Sequence, residues 1–572
     1  MKPGSPKTTP QRRRRASLLL LASVSVLAVA CATREVETTS PPATGTEVTT
    51  TASLTSLPPL ETPSAVDAGL QWWNDRVFYE VFVRSFSDSD GDGIGDLAGL
   101  AERLDYLNDG DPSTTTALAV TGIWLMPIFE SPSYHGYDVV DYRAIESDYG
   151  SIEDLEALLA AAHDRGIAVI IDLVINHSSI QHPWFIESRD QTTDRVDWYL
   201  WQPEDPGWPG PWGQEVWHSD EEAYYYGIFW EGMPDLNLTN DAVTAEMHDI
   251  ARFWLDEIGV DGYRLDAARH LIEDGPIQTD TPQTHAWLAD FRTEMHALAP
   301  DTLILGEVWS DTEMISSYLP DSLDLAFEFA LSEAFLDAMT RWQAEPLVEA
   351  QQAALDAYPA GQFAPFLTNH DMDRIMSQLG GTPERARLAA TWLLTAPGIP
   401  FMYYGEEIGM EGEKPDEDIR TPMAWTGEPP SVGFTDAIPW QAPDLSSEDA
   451  NVADQMGDAD SLLSLYRDLI HFRNESPALR FGETIVLDAG HPSVYAALRV
   501  GDAEQVLTVL NLSGRPVSDY SIDLSSLSPE DTRVPTVVVG SDSIELVVEE
   551  PYRPYPTLKP FDAVVVQFRS QG

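Results

Sequence analysis

From Gln71 onward the apolar positions switch repeatedly between two periods. Short aromatic and β-branched runs alternate with longer windows in which apolar residues recur every third or fourth position. The short runs predict strands over residues 78–83, 122–126, 168–174, 261–266, 303–308, 323–329, 365–369 and 399–404, and windows such as 151–165 predict the helices between them. Eight strands alternating with helices predict an α/β fold, a (β/α)8 TIM barrel whose active site lies at the C-terminal strand ends. More than 80 residues separate the third and fourth strands, too many for an ordinary connection. They are rich in Trp, Pro and Gly and predict a subdomain inserted over 178–240. The barrel then occupies 68–177 and 241–480. After about Pro477 the helical period stops, and β-rich runs over 493–498, 505–512 and 563–568 predict a C-terminal antiparallel β-sandwich over 481–572.

The N-terminal pattern is different. Arg12 to Arg15 precede an apolar stretch from Ala16 to Ala30, too short to span a bilayer comfortably, followed at once by Cys31. Leu27-Ala28-Val29-Ala30-Cys31 resembles a bacterial lipobox, which predicts a signal segment over 1–31 and lipidation at Cys31. The expected destination is the cell envelope, as a lipoprotein held by that anchor, or secretion. Residues 32–67 are rich in Thr, Ser and Pro and predict a flexible tether. Cys31 is the only cysteine, so neither an intrachain disulfide nor a multi-thiolate metal site can form.

Charge narrows the partners. The 94 acidic residues against 33 basic ones give −61, a field that repels nucleic acid and anionic lipid. Neither is an expected partner, and a membrane enters only through the lipid anchor. A neutral substrate does not feel this field. The expected protein is a monomer, and such an acidic surface suits high salt, where screening relieves self-repulsion.

The most informative stretch is Gly262-Tyr263-Arg264-Leu265-Asp266-Ala267-Ala268-Arg269-His270. On a strand, Arg264 and Asp266 share one face while Tyr263 and Leu265 take the other. An arginine two positions away keeps a carboxylate ionised, as a carboxylate nucleophile requires. Glu307 closes the fifth strand within Gly306-Glu307-Val308-Trp309, where apolar neighbours and Trp309 are expected to desolvate it and raise its pKa, as a general acid requires. Asp371 follows Asn369-His370 beyond the seventh strand. Two carboxylates on opposite sides of a glycosidic bond are the requirement for retaining glycoside hydrolysis.

These residues resemble the α-amylase family of glycoside hydrolases (family thirteen) over nearly all of 70–570. Asp172-Leu173-Val174-Ile175-Asn176-His177 resembles the first family motif and 262–270 the second. Gly306-Glu307-Val308-Trp309 resembles the third, and Asn369-His370-Asp371 the fourth. The resemblance implies Asp266 as nucleophile, Glu307 as acid/base, and Asp371 as the group that binds sugar hydroxyls and stabilises the transition state. It implies that Arg264, His177 and His370 surround the sugar at the cleavage point. Tyr137, in Tyr134-His135-Gly136-Tyr137, would stack beneath that sugar, with His135 and Arg374 joining the same subsite.

Asp88-Ser89-Asp90-Gly91-Asp92-Gly93-Ile94-Gly95-Asp96 places oxygen ligands on alternate residues with glycines between them, which suits a hard cation such as Ca²⁺. Oligo-1,6-glucosidase-like family members carry a similar loop after the first strand. By that resemblance Asp88, Asp90, Asp92 and Asp96 ligate by side chain and Ile94 by its carbonyl. Classical α-amylases use the asparagine of the first motif, matched here by Asn176, and a carbonyl matched by that of His270 for a different Ca²⁺.

Specificity signals are mixed. Gly232-Met233-Pro234-Asp235-Leu236-Asn237 combines oligo-1,6-glucosidase and neopullulanase forms, and Arg420-Thr421-Pro422-Met423-Ala424-Trp425 resembles the glucosidase side. Arg269-His270 resembles the pair with which α-amylases hold the sugar beyond the cut. The expected activity is that of an α-amylase on α-1,4-glucans and maltooligosaccharides through a covalent glycosyl-enzyme, with transfer to another sugar as a side reaction. The alternative is an exo-acting α-glucosidase or oligo-1,6-glucosidase, with a transglycosylase or sucrose phosphorylase further off.

Overall fold

The computed structural model describes residues 70–190, 192–221, 223–359, 361–447, 449–524, 534–540 and 552–569. The leader, Cys31 and the tether over 32–67 lie outside the described residues. Eight parallel strands form the core: β1 (Phe78–Val81), β2 (Gly122–Leu125), β3 (Ala168–Leu173), β4 (Gly262–Leu265), β5 (Leu303–Gly306), β6 (Leu325–Phe327), β7 (Phe363–Ala364) and β8 (Phe401–Tyr403). They pair in the order β7-β6-β5-β4-β3-β2-β1-β8. A bridge between Phe366 and Phe401, with the Phe401 N–H donating to the Pro365 carbonyl at 3.0 Å, brings the two edges together into a nearly closed barrel.

Period-two alternation sorts the side chains. Phe78, Trp124, Ile170, Leu303, Leu305 and Phe401 fill the barrel interior, and the Phe78 and Phe401 rings stack at 4.6 Å. Their neighbours Tyr79, Ile123, Val169 and Ile171 face the surrounding helices. With helices covering it outside, β3 is buried on both faces, so its sequence is nearly continuous in apolar residues. The helix expected over 151–165 spans Ile152–His163, and Ser151 starts it by exchanging hydrogen bonds with Asp154.

Strand β7 departs from expectation, ending at Ala364 rather than running over 365–369. Pro365 has no N–H to donate, so continuous pairing gives way there to the single bridge at Phe366. The long connection after β3 holds a helix (Pro183–Ser188) and a small antiparallel sheet of Trp201–Gln202, Ala223–Tyr226 and Trp217–Asp220. The bridge His177–Asp235 ties its return segment to the chain just beyond β3, and Tyr199–Leu236 ties that segment to the insertion's own outgoing chain. After a last short helix (Pro477–Phe481) comes a five-stranded antiparallel sheet: β9 (Glu483–Leu487), β10 (Val494–Val500), β11 (Glu504–Asn511), β12 (Val534–Val539) and β13 (Ala563–Arg569). Against one face lie Val517, Ile522, Tyr552 and Leu558. Bridges rather than full strands form this second layer among the described residues. No helix among the described residues is long and apolar enough to cross a membrane.

Candidate active site

Parity along the strands sets the site. Asp172 on β3 and Arg264 on β4 are paired positions whose side chains point into the barrel. Arg264 is 1 % exposed, so its charge must be met by protein. Its Nη1 lies 2.9 Å from both Asp172 carboxylate oxygens and 2.7 Å from Asp266 Oδ1, and its Nη2 lies 2.9 Å from Glu307 Oε2. One guanidinium thus holds three carboxylates. Burial pushes the Asp266 and Glu307 pKa values up, and the Arg264 charge pulls against it. Asp172, fully enclosed, is pushed by burial up to about 7.

Ala267 turns the chain directly after Asp266. Its φ of 50° lies in the left-handed region, costly for a residue with a Cβ. The turn aims the Ala267 N–H at Glu307 Oε2, 3.0 Å away, so strain after one carboxylate positions the other.

The third carboxylate arrives from β7. Asp371 Oδ2 lies 3.3 Å from His370 Nε2, and Arg420 Nη2 donates to Asp371 Oδ1 at 2.9 Å. Burial alone would raise the Asp371 pKa, yet His370 and Arg420 hold it well below the usual carboxylate range. His370 also has its Nδ1 2.5 Å from Glu80 Oε1 and its Nε2 2.6 Å from the Tyr137 hydroxyl. Burial opposes its charge, but Asp371 and Glu80 push its pKa up to about 9, which makes it a cation at neutral pH.

Asp266, Glu307 and Asp371 line one pocket of about 300 Å³ with His135, Tyr137, His177, Phe229, Trp230, Met233, Asp416 and Arg420. Tyr137 lies nearly parallel to the His370 ring, 17° between planes. Burial lowers the His177 pKa to about 3, leaving a neutral ring. Arg264 and His370 sit behind the lining and touch the carboxylates from below. Carboxylates able to meet positive charge, with cationic and neutral donors beside them, suit a reaction that develops charge at a sugar carbon.

Two expectations need correction. Arg374 does not join the pocket: its Nη1 donates to the Tyr404 carbonyl at 2.7 Å, and its guanidinium lies over the Tyr403 and Tyr404 rings. Arg420 fills the cationic position beside Asp371 instead. Trp309 does not cover Glu307 but stacks on Phe329 with ring centroids 4.8 Å apart, and it is 41 % exposed. Burial by other neighbours raises Glu307. Sequence reasoning passed over Glu80 and Asp416 altogether. For Glu80 a usable signal existed, a carboxylate on the inward face of an apolar strand.

Two sets of oxygens suit a cation. Asp88, Asp90 and Asp96 bring carboxylate oxygens within 4.8 Å of one another. Asp92 is not in that group; its Oδ1 accepts the Ile94 N–H at 2.7 Å. Separately, Asn176 Oδ1, Asp235 Oδ2 and Glu273 Oε1 are buried without a hydrogen-bond partner, a costly state that a cation relieves. Burial and the Glu273 charge push the Asp235 pKa well up.

Comparison with known proteins agrees with this geometry. Residues 80–482 match the α-amylase catalytic domain family. The chain is 38 % identical over 449 residues to α-amylase 3 of Dictyoglomus thermophilum, covering 77 % of this chain and 85 % of that protein. It is 32 % identical over 528 residues to an oligo-1,6-glucosidase of Heyndrickxia coagulans, covering 78 % and 93 %. The crystal structure of an α-amylase from H. orenii superposes with a TM-score of 0.74 at 40 % identity, covering 86 % of this chain and 99 % of that one.

Proposed function

The chain belongs to the α-amylase family and is a glycosidase, and from that premise we propose that it hydrolyses α-1,4-glucosidic bonds of starch-type glucans and maltooligosaccharides with retention of configuration. Asp266 attacks the anomeric carbon while Glu307 gives its proton to the glycosidic oxygen. The carbon–oxygen bond to the leaving chain breaks as the bond to Asp266 forms. Water then attacks the anomeric carbon as Glu307 takes one of its protons, and the bond to Asp266 breaks as the bond to the water oxygen forms. Asp371, His177 and His135 hold the hydroxyls of the sugar being cleaved, and Tyr137 supports its ring. The observation that carries this reading is the sharing of one Arg264 guanidinium by two carboxylates that line the same pocket.

Similarity to an oligo-1,6-glucosidase, and the Arg420 motif, support a second reading as an exo-acting α-glucosidase or oligo-1,6-glucosidase. Incubation with maltoheptaose and with isomaltose separates the two. Internal cleavage of the first and no attack on the second is the expected result; glucose released from both favours the second reading.

A resident cation, Ca²⁺ by the hardness of its all-oxygen donors, would be held by Asp88, Asp90 and Asp96, with the Ile94 carbonyl and Asp92 completing the loop. Asn176, Asp235 and Glu273 would hold another. Such ions would brace the first barrel loop and the inserted segment and would supply charge, not a reacting group. Export, with a lipid on Cys31 and the tether holding the enzyme off the membrane, is the reading that the leader supports.

A further inference from the structure

At the end of the barrel opposite the catalytic carboxylates, a cavity of about 360 Å³ lies between the N-terminal strand ends and the C-terminal sheet. Asn74 before β1, Phe363 at the start of β7 and Gly398 before β8 line one side, and Arg480, Thr484 and Arg499 the other. Seams between packed units are where small molecules bind by preference.

Charge sets this cavity apart. Arg499 is 3 % exposed and Arg473 2 %. Both donate to the Ala396 carbonyl, at 2.9 and 3.0 Å, so the two guanidiniums are neighbours. Among the described residues neither meets a carboxylate, although the chain carries 94 acidic residues. Burial draws the Arg499 pKa down to about 10, which still leaves a cation at neutral pH. A buried charge without a counter-charge is a costly state.

The hydrogen bonds show where a counter-ion fits. The helix Pro383–Thr395 ends at these arginines, and carbonyls at and just past its last turn take the Nη1 donors of both. Arg499 Nη2 donates to the Gly482 carbonyl at 3.1 Å. Arg499 Nε is left buried with no partner, and so is the Thr484 hydroxyl. Thr484 stands directly opposite Arg499 across β9 and β10. Such a pair shares one sheet face, with Cβ atoms about 5 Å apart.

Other polar groups on the wall are engaged. Arg480 Nη2 lies 2.6 Å from Asp75 Oδ2, and Asn74 Nδ2 donates to the Gly361 carbonyl at 2.9 Å. Of the two lining acids, Asp356 accepts from Gln352 Nε2 at 2.9 Å, and both it and Glu483 are exposed, where water screens their charge. A guanidinium N–H and a hydroxyl, adjacent and without acceptors, call for an oxygen ligand. A water molecule would meet the donors and leave the charge; an oxyanion meets both.

We propose that this cavity binds a small oxyanion, a phosphate or a carboxylate group, on Arg499 Nε and the Thr484 hydroxyl. The bound anion neutralises the buried arginines and ties the C-terminal sheet to the barrel. The site is separate from the catalytic pocket and independent of what that pocket cleaves.

Isothermal titration of the full chain with sodium phosphate and with sodium acetate, in a constant background of sodium chloride, tests this. Saturable binding of phosphate or of acetate is expected, the stronger of the two identifying the group, with a thermal midpoint that rises to a plateau as the site fills. A general salt effect would instead keep rising with concentration. Arg499→Met abolishes the binding, and Thr484→Val weakens it about tenfold, the worth of one hydrogen bond to a charged group. Activity on maltoheptaose stays at the parent level in Thr484→Val. No saturable binding of either anion by the parent overturns the proposal, as does parent-like affinity in Arg499→Met. Should circular dichroism show Arg499→Met unfolded, unchanged affinity in Thr484→Val overturns it alone.

Discussion

Arg264 and Asp266 stand two positions apart on one strand, with Nη1 and Oδ1 2.7 Å apart, and the same guanidinium reaches Glu307 with its other terminal nitrogen. A nucleophile must be ionised and a general acid protonated, yet burial raises both carboxyls here. Arg264 pulls both back down, and the Ala267 N–H adds to that pull on Glu307.

Asp266→Ala is expected to lower kcat by at least about 10³-fold, because the covalent step has no substitute nucleophile. Steady-state kinetics with maltoheptaose, together with circular dichroism, check this; activity within tenfold of the parent contradicts the assignment.

Replacing Arg264 by Met leaves Asp172, Asp266 and Glu307 buried without their common cation. Breaking such an arrangement costs about 3–5 kcal/mol. The thermal midpoint is expected to drop sharply near neutral pH and to recover partly as acid neutralises the carboxylates. A midpoint insensitive to pH in this variant refutes that electrostatic role.

The barrel was legible in the sequence because its eight strands are short apolar runs whose parity also points Asp172, Arg264, Asp266 and Glu307 inward. Asp371 could be placed by its neighbours alone. Arg374 was expected from the family resemblance alone, and no local pattern shows where a long side chain turns; it goes to the Tyr404 carbonyl, and Arg420, 49 positions from Asp371, takes the place. Glu80 and His370 are separated by 290 positions, and no local period reveals such a pair. Positive φ at Ala267 is likewise invisible, since nothing in an alanine signals a left-handed turn.

His370 supplies a pH prediction. Its folded pKa is raised to about 9, above the unfolded value. The stability it contributes is therefore complete below pH about 6.5 and is lost as pH rises through about 9. The alkaline limb of kcat/KM is expected near that value. Glu80→Gln removes one of the two anions facing the ring, so the limb moves to lower pH by about one unit. An unmoved limb shows that Glu80 does not hold the proton on His370.

Divalent cation gives a stability prediction. At free Ca²⁺ a hundred times its dissociation constant, binding to the native state alone adds about 2.7 kcal/mol. Chelation is expected to lower the melting temperature by several degrees, and Asp88→Asn with Asp90→Asn to diminish the response. A melting curve indifferent to chelator removes the cation from the account.

Surface charge gives another. With −61 over the chain, stability is expected to rise between about 0.1 and 3 M salt as the Debye length contracts severalfold. Chemical denaturation in urea at several salt concentrations measures this, and a flat midpoint opposes it.

The most direct measurement traps the glycosyl-enzyme with 5-fluoro-α-glucosyl fluoride and maps the modified peptide by mass spectrometry. The expected product carries one glycosyl group on Asp266, and it accumulates because the C5 fluorine slows both steps while the good fluoride leaving group restores only the first. A label on Glu307 or Asp371, or rapid turnover with inverted product and no label, contradicts a nucleophile at Asp266.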